Sequence, residues 1–66
     1  MTKKEIRDMA NRACAAATRR GTVDVMQIPA MFKAAEQAAA AANGYDTAYN
    51  AAFEAAFRFI NVEAGQ

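Results

Sequence analysis

Sixty-six residues and a net charge of +1 allow one small domain, 1–66, and exclude a strongly acidic nucleic-acid mimic or a strongly basic coat protein. Histidine, serine and tryptophan are absent and Cys14 is the single cysteine, which removes serine–histidine and cysteine–histidine pairs, an internal disulfide and any imidazole-based metal site. Nineteen alanines and no leucine point to an all-α, alanine-rich three-helix bundle, in which the helices must approach closely because bulky apolar side chains are few.

Thr2 and Glu5 have the spacing of a capping box, which predicts a first helix over 3–20. Ile6, Met9, Ala10, Ala13 and Ala17 form one stripe, with Lys4, Asp8, Arg12 and Arg19 opposite and Asp8 spaced to pair with Arg12. Arg19 and Arg20 suit the negative end of the helix, and Gly21 is expected to stop it in a left-handed conformation. Residues 21–28 read as a connector. Val23, Val25, Met26 and Ile28 are bulky, yet one short run has no second strand to pair with, so a turn of helix capped by Asp24 is expected.

A second helix is predicted over 29–43, with Pro29 in its first turn and Asn43-Gly44 at its end. Met31, Phe32, Ala35, Ala38, Ala39 and Ala42 share its inner face, leaving Lys33, Glu36, Gln37 and Ala40 outside. Its neighbour is expected over 46–62, capped by Asp46 or Thr47. Ala48, Ala52, Ala55 and Phe59 make one ridge of this third helix, and Tyr49, Phe53, Phe57 and Ile60 make another. Phe57 and Phe59 point about 160° apart on an ideal helix, and the apolar arc of roughly 180–200° exceeds the ~100° stripe of a helix with one neighbour. Helix three is therefore wedged between the other two or also faces another chain. The tail, 63–66, is expected to fray.

Charge is divided along the chain. Residues 1–21 carry six basic side chains against two acidic, and residues 22–66 carry two against five. The halves suit attraction to each other, to a second copy, or to different partners. Cys14 reads as a small packing residue, with Arg7 the one nearby cation able to lower its pKa. Glu5, Asp8, Asp46 and Glu54 read as helix-start groups, ion-pair partners and solvated positions, and the glycines stand at helix ends rather than in a phosphate loop. The basic start of the protein and the order helix, short turn, helix are compatible with nucleic-acid binding through Lys4, Arg7, Arg12, Arg19, Arg20 and Lys33. Against this, Asp8 interrupts the basic face, the second helix offers mostly alanine, and no aromatic alternates with the cations.

The expectation is a non-enzymatic protein-binding module acting sterically as an inhibitor or adaptor of another protein. Tyr49, Phe53, Phe57, Phe59 and Ile60 are its anchors, and Lys4, Arg7, Arg12, Arg19 and Arg20 supply steering. Self-association through helix three, as a dimer, is expected alongside, and no metal or cofactor. A nucleic-acid regulator and a purely structural homo-oligomer are the alternatives. Short chains without catalytic residues are frequent among phage and mobile-element accessory proteins. A cytoplasmic location is expected, because the basic start runs into Glu5, Arg7 and Asp8, and residues 34–42 are too short to span a bilayer.

Overall fold

The computed structural model describes residues 1–62. Within them the chain forms α1 (Lys3–Thr18), a 3₁₀ turn (Val25–Gln27), α2 (Ile28–Ala41) and α3 (Tyr45–Phe57). The result is an all-α bundle in which each helix packs on both others.

The capping box forms: the Thr2 hydroxyl accepts from the Glu5 N–H at 3.1 Å, and the Glu5 carboxylate accepts from the Thr2 N–H at 2.8 Å. Two orphan amides are satisfied at once. At the other end, α1 stops two residues earlier than expected. Arg19 and Arg20 donate to the carbonyls of Ala16 and Ala17 at 3.3 and 3.0 Å, tightening the last turn.

Gly21 is not a left-handed stop. The positive φ among the described residues belongs to Gly44, at 93°. Gly21 instead permits a close approach, since a Cβ there would stand 2.5 Å from the Asn61 carbonyl oxygen and 2.9 Å from Ile60 Cγ2. Beside it, Thr22 and Asn61 form an isolated antiparallel bridge. The Asn61 N–H donates to Thr22 at 2.7 Å, and the Thr22 N–H donates back at 3.1 Å. The connector thus has an extended partner after all, supplied by the far end of the chain. Asp24 caps the 3₁₀ turn as expected, its Oδ1 accepting from the Met26 N–H at 3.0 Å. Pro29 falls in the first turn of α2, where a missing N–H costs nothing.

α2 ends at Ala41, with Ala42 as its extended C-cap, rather than at residue 43. Gly44 then takes the N-cap position of α3 in a backbone region that side-chain-bearing residues rarely adopt. Asp46 and Thr47, expected as caps, lie inside the first turn. At its other end α3 stops at Phe57, five residues short of the expected 62. Phe59 and Ile60 donate to Ala56 and Phe57, both at 3.0 Å, and the chain then extends to reach Thr22. Continuing the helix would carry Asn61 off this bridge; the turn keeps Ile60 in the core, where it is only 8% exposed. The expected fraying of 63–66 lies outside the described residues.

Each helix contributes one row of residues four apart to the core: Met9–Ala13–Ala17, Met31–Ala35–Ala39 and Ala48–Ala52–Ala56. Ala10, Cys14 and Ile60 complete it. Rows with this spacing are the ridges by which helices interlock. Ala56, not Ala55, completes the ridge of α3, while Ala55 is half-buried. Every aromatic residue stays outside the fully buried set.

Candidate functional site

Next to the alanine ridge of α3 runs a second row with the same spacing: Tyr45, Tyr49, Phe53 and Phe57. Tyr45 is 51% exposed and the other three are half-buried. Phe53 and Phe57 stack with centroids 5.7 Å apart and planes inclined by 13°. The guanidinium of Arg20 lies 5.8 Å from the centre of the Phe57 ring, within cation–π range. At the opposite end of the row, Arg12, Tyr45, Asp46, Tyr49 and Asn50 line an open groove of about 500 Å³. α1 and α3 therefore run in the same direction, with Arg12 toward the start of α3 and Arg20 toward its end.

The aromatic row is a floor between two unlike banks. On α1 the bank is Arg12, Ala16 and, just past the helix, Arg20; on α3 it is Asp46, Asn50 and Glu54, four residues apart and all exposed. Arg12 is held by Asp8 at 3.3 Å, one turn earlier on the same helix. Both side chains are more than half exposed, so this pair orients Arg12 more than it stabilises the fold.

Of the anchors expected from sequence, Tyr49, Phe53 and Phe57 come together here. Phe59 is half-buried beyond the end of α3, where the turn places it away from this row. Ile60 is a core residue under Gly21 and presents little to a partner. Among the expected cations, Arg12 and Arg20 border the row, while Lys4 and Arg19 are exposed elsewhere on or just beyond α1. Arg7 reaches Glu36 of α2 at 3.5 Å, on the other side of the molecule. Tyr45 joins Tyr49, Phe53 and Phe57 as the first residue of α3, one position before the start that the sequence predicts. The signal was present, since Tyr45 stands one four-residue step before Tyr49.

A second, smaller pocket of about 170 Å³ lies between α1 and α2, lined by Asn11, Cys14, Thr18, Val23, Met31 and Phe32 among others. Cys14 is only 1% exposed. Burial, reinforced by the charge of Glu36, pushes its thiol above the ordinary value. Arg7, expected to lower it, is engaged with that same glutamate. No group of three or more candidate metal ligands occurs among the described residues, and no described helix is long and apolar enough to cross a membrane.

In comparisons with known proteins, no protein-family model, no curated protein sequence and no solved structure matches this chain.

Proposed function

We propose that the chain is a non-enzymatic protein-binding module, acting sterically in the cytoplasm as an inhibitor or adaptor, and that the α1–α3 face is its contact surface. The observation that carries this reading is the row Tyr45, Tyr49, Phe53 and Phe57 bordered by Arg12 and Arg20. Aromatic residues and arginine supply most hot-spot energy in protein interfaces. Rings already half-buried and stacked have little rotamer freedom left to lose on docking. The arginine bank gives the approach of an acidic partner its direction.

The same residues fit a nucleic acid less well. A single strand needs free ring faces on which bases stack. Phe53 and Phe57 cover each other, and Arg20 covers Phe57. Lys33 is exposed on α2, outside this groove.

The test is capture from the native host with the immobilised chain, comparing it with Tyr49→Asp and with Lys33→Glu, each checked for native helicity. The native chain and Lys33→Glu retain the same defined protein, and Tyr49→Asp loses it. Retention by all three, or by none, would sink the proposal.

A further inference from the structure

We infer that the occupant of the α1–α3 face is a second copy of this chain, packed with the two α3 helices parallel and in register. The inference rests on the reading of that face as a docking surface, and it names the partner. It comes from the arrangement of charge across the aromatic floor rather than from the floor alone.

Arg12 and Arg20 are eight residues apart, and so are Asp46 and Glu54 on the opposite bank. Asp46 and Glu54 stand about 12 Å apart along α3, and Arg20, past the end of α1, closes the basic bank at the Phe57 end of the floor, so the two banks carry opposite charges at both ends. Arg12 and Asp46 line one groove at the first end of the floor, and Arg20 lies over Phe57, about one turn beyond Glu54, at the other. Asp8, one turn before, holds Arg12 at 3.3 Å within the same chain, and Arg58 lies one turn beyond the acidic pair.

Two copies can meet on this face about a two-fold axis in either of two directions. An axis across the helices makes them antiparallel and leaves each basic bank over the partner's basic bank. An axis along α3 keeps the helices parallel and turns each basic bank onto the partner's acidic one. In that second arrangement Arg12 meets the partner's Asp46, Arg20 reaches toward the partner's Glu54, and each pair occurs twice by symmetry. The aromatic floors close on each other between these rails, covering Tyr45, which is 51% exposed in the single chain. Like charges set opposite each other disfavour the antiparallel alternative.

Three measurements on the full chain test this. Light scattering at high micromolar concentration should give twice the chain mass, falling on dilution; a monomer at every concentration overturns the inference. Charge reversal by Arg12→Glu should weaken association roughly thirtyfold, because the pair is lost twice at about 1 kcal/mol each. Adding Asp46→Arg to it should restore association, with helicity followed throughout. Tighter association of Arg12→Glu alone would indicate the antiparallel arrangement and overturn the parallel one.

The third measurement is geometric. In a Cys14→Ala background, Tyr45→Cys should oxidise to a disulfide-linked dimer, because parallel α3 helices bring the two positions face to face. Such a bond requires Cα atoms within about 7 Å. Antiparallel helices would separate them by about the length from residue 45 to 57, roughly 18 Å. Read at a concentration where that variant has the dimer mass, failure to cross-link overturns the parallel register. A monomer that still captures a host protein through Tyr49 removes the second copy and leaves the protein-binding proposal standing. A dimer that captures nothing does the reverse.

Discussion

Two rows of side chains share α3 and the same spacing, about 100° apart around the helix, yet they do opposite things. Ala48, Ala52 and Ala56 are completely buried. Tyr45, Tyr49, Phe53 and Phe57 are all at least partly exposed. The smallest side chains make the core and the largest make its rim. Helices that meet through methyl groups come too close to admit a ring between them, so the aromatics are displaced to the edge. Packing and recognition are thereby assigned to different rows of one helix, and a substitution in one row should leave the other's task largely alone.

The largest expected effect is an assault on the alanine row. Ala52→Leu forces extra volume between helices that have no room for it, at a cost of about 3 kcal/mol. For a domain this small, that lowers the melting temperature by more than 10 °C, at roughly 4–8 °C per kcal/mol. Thermal denaturation followed by circular dichroism reads it, and an unshifted transition would mean that the row is not a tight seam. Gly21→Ala comes next. Alanine for glycine commonly stabilises by restricting the unfolded chain, but here the new Cβ meets the Asn61 carbonyl. The expected result is a loss of about 2 kcal/mol, with the amide of Asn61, now unbridged, exchanging its hydrogen faster.

Phe53→Ala sharpens the comparison from the other side. A half-buried ring contributes about 1–2 kcal/mol to stability, so the domain should stay folded while binding through the α1–α3 face is lost. Equal damage to folding and binding would erase the distinction between the rows. The smallest effects belong to neither row. Thr2→Ala removes half of the capping box and should cost about 1 kcal/mol. The hydrogen bonds from the Thr2 backbone and hydroxyl hold the Glu5 carboxyl below its ordinary value of 4.5. Because the folded-state pKa is depressed, this contribution is complete above 4.5 and fades as pH falls through the folded value. Melting temperatures taken below pH 4.5 should therefore drop less steeply for Glu5→Gln than for the native chain.

Much of the fold is readable from neighbouring residues. The Thr2–Glu5 box, the Asp24 cap, Pro29 in the first turn of α2 and the Asp8–Arg12 pair all involve partners within a few positions. The errors have a common origin. The sequence predicts α3 as far as residue 62 because Phe57, Ile60 and their neighbours keep a helical period, but a 3₁₀-type turn also brings residues three apart onto one side. A helix stop is glycine's commonest role after two arginines at a helix end, while the actual constraint on Gly21 is the backbone of Asn61. The candidate site was half visible: Tyr49, Phe53 and Phe57 followed from the wheel of α3. Their association with Arg12 and Arg20 did not, because the absence of interleaved cations in the chain says nothing about cations brought alongside by another helix.

The sequence by itself determined that this protein is helical, that its core is built largely from alanine, and where each helix begins to within one residue. Those properties depend on propensity, capping and periodicity, which act over one or two turns. Only the tertiary structure decided where α3 gives way to the Thr22–Asn61 bridge, which alanine completes its ridge, and that an aromatic floor lies between a basic and an acidic bank. These depend on which helices run in the same direction and how closely they meet, and that is settled by the packing of all three at once.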